Sequence, residues 1–368
     1  MVIETNITKM FGIKHPILNA PMGPYLTNQI SVALCEAGGM GVVSHTAGLE
    51  SLGLMRDAIN NGVDIVKAMQ ERQESTDSNY MLTNLKWVAE HTDKPFGFNL
   101  RTSRNEMDAT TIARKLPKQI MEDPKLREQV VYAVTSAGSP KLLPASKPFQ
   151  RLREQTGIKH FHVAPALWLA DKCVAAGVDG LVCTGTEGGG HQSYEKVSTL
   201  VLLQQVRQKY PDLPIMGCGG LASGEGLAAV LAMGGGGIEM GTRFIASKDS
   251  EYHEAYKGMI PPMKAGDTRL VTGMLGPIRL WKNKYCMSKD LVGSKAELVA
   301  KEEARSVEAM MKEMMHYLGA LEGDMEDSAI LIGQSGGVIN SIESIDDIVS
   351  SIMGDAERLI KNAYNSIK

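Results

Sequence analysis

One imidazole at the end of a glycine run is the strongest chemical signal in the chain. Residues 185–191 read GTEGGGH and follow the apolar run Val178, Asp179, Gly180, Leu181, Val182 and Cys183. Glycines let backbone come close to a bound ligand, and His191 is then the side chain aimed at it. An imidazole changes protonation near neutrality, so His191 can take a proton from a carbon acid or hydrogen-bond an oxyanion. Two further turns, Gly219-Gly220 and Gly241-Thr242, also follow apolar runs. Their N–H groups, with a hydroxyl from Thr242 or Ser223, suit a phosphate. His160 and His162 stand at i, i+2 and share one strand face, which invites a metal. No third ligand stands near them in the sequence, so packing or a polar partner is the expectation. Cys35, Cys173, Cys183, Cys218 and Cys286 are scattered without a C-x-x-C pair and read as small buried hydrophobes.

Those residues need a scaffold that ends strands in small or polar groups. Apolar runs at residues 15–20, 40–44, 95–100, 130–135, 159–163, 180–183, 214–218 and 237–240 alternate with helical patterns. Thr27 or Asn28 caps the first such helix, and Gly38-Gly39 ends it. Other helices are expected at residues 104–127, 166–176, 200–209 and 224–233, with a proline-interrupted helical segment at 142–155. Eight strands alternating with helices outline a (β/α)8 barrel, whose chemistry gathers at the strand C-termini. An open doubly wound sheet is the alternative, because periodicity cannot show closure. The barrel is expected over residues 1–260, with an insertion at 46–94 made of an amphipathic stretch at 51–69, a polar segment at 70–79 and a helix. Residues 261–368 read as a largely helical extension, with helices at 296–318 and 345–367 around the glycine loop 333–337.

Composition narrows the partner. With 368 residues, 43% hydrophobic and 22% charged, the chain can bury a large core. The 39 basic and 42 acidic residues give no electrostatic footprint for nucleic acid or an anionic membrane. A small-molecule partner is the default. No apolar stretch approaches the roughly 20 residues of a membrane span and no leader pattern opens the chain, so a cytoplasmic protein is expected. The 22 methionines mostly occupy apolar positions and read as core filling.

Five motifs, in order, resemble those of the nitronate monooxygenase (2-nitropropane dioxygenase) family. They are Asn19-Ala20-Pro21-Met22, residues 36–42 (EAGGMGV), residues 185–191, Gly219-Gly220-Leu221-Ala222 and residues 240–244 (MGTRF). The barrel is also similar to flavin-dependent enoyl thioester reductases and NAD(P)H:quinone reductases. The resemblance implies an FMN-binding TIM barrel with the phosphate on Gly219, Gly220, Gly241 and Thr242. It implies the flavin ring near Ala20, Pro21, Met22 and Gly23, hydrogen bonds from Asn99, and Gln334 approaching from the C-terminal loop. Gly185, Thr186, Glu187, Gly189 and Gly190 would complete the cofactor loop, with His191 beside the reactive flavin nitrogen and no metal. Glu187 either positions His191 or begins a turn. The implied activity is oxidation of alkyl nitronates with dioxygen; the alternatives are NAD(P)H-dependent reduction of a quinone or enoyl thioester, or flavin binding without turnover. A homodimer is one assembly this family allows. Many relatives carry alanine where Gly188 or Gly189 stands and a small residue plus glycine where this chain has Gln192-Ser193, so the departures fall on the substrate pocket.

Overall fold

The computed structural model describes residues 3–46, 77–103, 106, 108–273, 276–303 and 307–367. The amphipathic stretch expected at 51–69 and most of the polar segment at 70–79 lie outside the described residues.

Eight parallel strands form the central sheet. They are β1 (Ile17–Asn19), β2 (Val42–Val43), β3 (Phe96–Arg101), β4 (Val130–Ser136), β5 (Lys159–Ala164), β6 (Gly180–Thr184), β8 (Ile215–Cys218) and β9 (Gly237–Met240). A ninth short strand, β7 (Gly190–His191), leaves this sheet. The order β1-β9-β8-β6-β5-β4-β3-β2 is that of a barrel, not of an open sheet. Closure between β1 and β2 takes one bridge, Leu18 to Met40, and one side chain. The Asn19 amide donates to the Val42 carbonyl at 2.9 Å and accepts the Val42 N–H at 2.7 Å, replacing a ladder pair where the strands are too short to supply one.

Alternation along the strands sorts their side chains into two cores. Leu18, Val42, Tyr132, Val134, Phe161, Val182 and Met216 fill the barrel. The N-terminal helix Asn6–Phe11 stops its lower end: Phe11 sits edge-on to Tyr132 at 5.1 Å between ring centres, and Thr5 Oγ1 donates to the Gly236 carbonyl just before β9. The outward residues pack under the helices, among them Ile17, Leu181, Ile215 and Ile238. His160 and His162 share a face as expected, and that face is the outer one. Both rings meet the Thr135 hydroxyl, at 2.8 and 2.6 Å, and His160 stands edge-on to Phe149. They are packed polar groups, away from the barrel mouth.

Prolines divide two helical segments, and only the division at 142–155 was expected. The segment expected at 104–127 is two helices, Ala109–Glu122 and Pro124–Gln129, because Asp123 turns extended and its carboxylate caps Lys125 and Leu126 N–H. The segment at 142–155 divides at Ser146 before Pro148. In the C-terminal region an unanticipated hairpin, β10 (Thr268–Gly273) with β11 (Gly276–Trp281), precedes the helices Lys295–Glu303, Val307–Leu321 and Ile345–Asn365. β11 pairs antiparallel with β7, setting Ile278 opposite His191 and Arg279 opposite Gly190. The site histidine is thus a strand residue held by the C-terminal region.

Candidate active site

A cavity of about 930 Å³ opens at the C-terminal ends of the barrel strands. Ala20, Pro21, Met22, Gly23, Asn99, Gly189, Gly190, His191, Gly219, Gly241 and Thr242 all line it. Gly185, Thr186, Glu187, Gly220 and Gln334 stand behind this wall. The Glu187 carboxylate turns away from His191 and accepts the N–H of Thr199, the first residue of the helix Thr199–Lys209, at 3.0 Å. Its backbone carbonyl accepts the Gln334 N–H at 2.8 Å, and Ser335 is the residue of that loop on the cavity wall.

The glycines of the motif serve close approach. A Cβ on Gly189 would lie 2.7 Å from the Gly333 nitrogen, so the two loops touch backbone to backbone. Gly219 adopts φ +87°, and a Cβ there would lie 2.9 Å from both Gly185 O and Gly188 N. Arg279 braces the loop from outside, its Nε donating to the Thr186 carbonyl at 2.7 Å. Gln192 ties it from within, donating to the Gly188 carbonyl at 2.9 Å.

His191 is uncharged at neutral pH. Burial, and then the positive charge of Arg101, push its basicity down to about 4. This replaces the near-neutral titration expected for a free imidazole. Its Nε2 is buried without a partner.

Arg101, at the end of β3, was not singled out in the sequence. It lines the cavity and is ion-paired with Glu106 at 3.0 Å. Its backbone N–H donates to His45 Nδ1 at 3.2 Å, so His45 carries its proton on Nε2 and donates it to Asp108 Oδ2 at 3.0 Å. Glu239, Ser136, Lys141, Trp168 and Lys172 also reach the wall unforeseen. An acid inside the apolar run Gly237 to Met240, and an arginine directly after Asn99 and Leu100, were the signals available. Cys218 lines the cavity as well, but burial pushes its thiol up to about 12, so it stays un-ionised.

The cavity suits a polar ligand. Among the described residues, Asn99 Oδ1, Thr184 Oγ1, His191 Nε2, Gln192 Oε1 and Glu239 Oε2 are buried without hydrogen-bond partners, and all five residues line it. Gly241 has φ −101°, which any residue tolerates, and a Cβ there would enter the space beside Met22 and Ala20 at 3.4 Å or more. Glycine at 241 meets no backbone demand, and its missing side chain leaves the space beside Met22 and Ala20 open.

A (β/α)8 barrel with a polar, glycine-walled cavity at its strand C-termini, carrying an imidazole and a guanidinium, is an enzyme barrel, and its family makes it an oxidoreductase. The chain belongs to the nitronate monooxygenase family, whose model matches residues 4–355. It is 25% identical to a (3aS,4S,5R,7aS)-5-hydroxy-7a-methyl-1-oxo-octahydro-1H-indene-4-carboxyl-CoA dehydrogenase of Mycobacterium tuberculosis, over 97% of both chains. It is 26% identical to a probable nitronate monooxygenase of Staphylococcus aureus, over 75% of this chain and 77% of that one. The solved structure of FabK from Thermotoga maritima superposes with a TM-score of 0.74 at 25% identity, covering 100% of each chain. Among the described residues no helix is long and apolar enough to cross a membrane.

Proposed function

We propose that the chain binds FMN in this cavity and oxidises alkyl nitronates with dioxygen. The observation that carries this reading is a fixed cation, Arg101, and an imidazole held neutral, His191, on one cavity wall. A nitronate arrives as an anion. Arg101 attracts and orients it, and a neutral His191 hydrogen-bonds it without protonating it back to the carbon acid. Gly219, Gly241 and Thr242 on the cavity wall would hold the phosphate, with Gly220 behind them, and Ala20 to Gly23 would back the ring, with polar groups from Asn99. Bound FMN would supply the electron acceptor that passes electrons to dioxygen. Anaerobic mixing of the flavin-loaded protein with ethyl nitronate should bleach the flavin without reduced pyridine nucleotide; an unbleached flavin sinks this reading.

A second reading, reduction or oxidation of an acyl thioester with a nicotinamide nucleotide as redox partner, draws on the outer end of the cavity. Trp168 is 44% exposed there, Lys172 Nζ stands 4.7 Å from its ring centre, and Lys141 lines the same wall. A small nitronate needs none of these, whereas a large phosphorylated carrier uses an aromatic face and cations. The indene-carboxyl-CoA dehydrogenase of Mycobacterium tuberculosis also matches more of the chain than the Staphylococcus aureus protein does. Bleaching by NADH or NADPH, with no reaction with nitronate, selects this reading.

A further inference from the structure

Glu239 occupies an inward position of β9, in register between Leu18 of β1 and Cys218 of β8, and has no exposed surface. Its Oε1 accepts the Tyr132 hydroxyl at 2.9 Å; its Oε2 is buried without a partner, and the residue forms part of the cavity wall. The titratable groups facing it are Tyr132 and Cys218, both kept un-ionised by burial, and no cation among the described residues offsets its charge. A carboxylate in that position would be a buried charge with one neutral hydrogen bond, a costly arrangement. Burial accordingly raises the carboxyl to about 8, which leaves the acid form dominant at neutral pH. That form carries one O–H. Because Tyr132 already donates to Oε1, the proton belongs on Oε2, the oxygen left without a partner in a residue of the cavity wall.

We infer that Glu239 is an un-ionised carboxylic acid whose Oε2–H is the hydrogen bond the barrel interior offers to an acceptor atom of the cavity's ligand, a carbonyl oxygen or ring nitrogen of a planar heterocycle. A neutral acid hydrogen-bonds such an atom without repelling it, and the bond strengthens as the atom gains negative charge. The identity of the acceptor rests on the FMN reading above; the state of the acid does not.

The experiment is infrared spectroscopy of the full chain with and without FMN, beside FMN titrations of wild type, Glu239→Gln and Glu239→Ala across the acid's range, about two pH units around 8. Without flavin at pH 7, wild type should show an un-ionised carboxyl band that Glu239→Gln lacks, and FMN should move that band. Glu239→Gln, which still donates and still accepts from Tyr132, should bind FMN about as tightly as wild type, and Glu239→Ala about tenfold more weakly. Wild-type affinity should fall as pH rises through about 8 while that of Glu239→Gln stays level, a difference that packing alone does not produce. Absence of the band, or one shared pH profile for wild type and Glu239→Gln, overturns the inference. A wild type that binds no FMN overturns the FMN reading instead, and the band measured without flavin still decides whether Glu239 is ionised.

Discussion

Arg101 and His191 reach one cavity from different sheets, and the guanidinium charge adds to burial in keeping the imidazole neutral. The ion pair with Glu106 and the N–H bond to His45 hold Arg101 in place, so the coupling is built into the fold. Replacing Arg101 by Met removes an orienting charge-assisted contact and a source of repulsion together. The expected outcome is a fall of about 10- to 100-fold in kcat/KM for a nitronate, with a higher His191 pKa in a proton NMR titration. An unchanged His191 titration would show that the two side chains do not communicate.

The pH profile follows from the low basicity of His191. If the neutral imidazole is the working form, kcat/KM should hold level as pH falls through the usual histidine range and decline only near pH 4. A limb near pH 6.5 would overturn the neutral working form of His191. His191→Asn should lower kcat and erase the acid limb.

His160 and His162 report on stability. Burial lowers each to about 3, and they share the Thr135 hydroxyl, so one ring donates to it and the other accepts. Both folded values lie below the unfolded one, so in acid the unfolded chain binds more protons. Their contribution is complete above pH 6.5 and is lost as pH falls from there toward 3, at about 1.4 kcal/mol per pH unit for each ring. Urea unfolding between pH 7 and 5 should therefore show a shallower decline in His160→Gln than in wild type, even though the variant starts lower.

Legibility followed backbone chemistry. The glycine turns and apolar runs announced the barrel strands and the Gly185 to His191 loop, because both are local. What escaped depends on which way a strand faces. Alternation put His160 and His162 on one side, but only the wound barrel makes that side the outer one. Arg101 and Glu239 become site residues through the same winding, at strand positions that no turn flags. The hairpin behind β7 was hidden for another reason: Gly273 and Gly276 enclose two apolar residues, without the Asn or Asp that marks a tight turn.

Asn19 is the hinge of barrel closure. Its amide makes two hydrogen bonds to Val42; Thr27 Oγ1 also donates to that carbonyl, whereas the Val42 N–H is met by Asn19 Oδ1. Asn19→Ala should orphan that donor and cost about 2 kcal/mol, read as a lower urea midpoint with unchanged slope. A loss within a few tenths of a kcal/mol would mean that the single Leu18 to Met40 bridge closes the barrel unaided.

Gly219 and Gly241 follow neighbouring strands yet should respond to alanine in opposite ways. At Gly219 a methyl group meets backbone 2.9 Å away from a φ of +87°, so Gly219→Ala should strain the fold by about 1–3 kcal/mol. At Gly241 the backbone is ordinary, and the methyl finds only Met22 and Ala20 at contact distance, its remaining surface turned to the cavity. Gly241→Ala should keep the wild-type melting temperature within about 2 °C, since a surface-like change costs little. FMN affinity should nevertheless fall at least about tenfold, because an added methyl in a filled pocket forces the ligand aside. Isothermal titration of FMN beside thermal melts separates the two effects. If Gly241→Ala binds FMN as wild type does, the cofactor does not press on this turn, and the glycine there has no role in holding it.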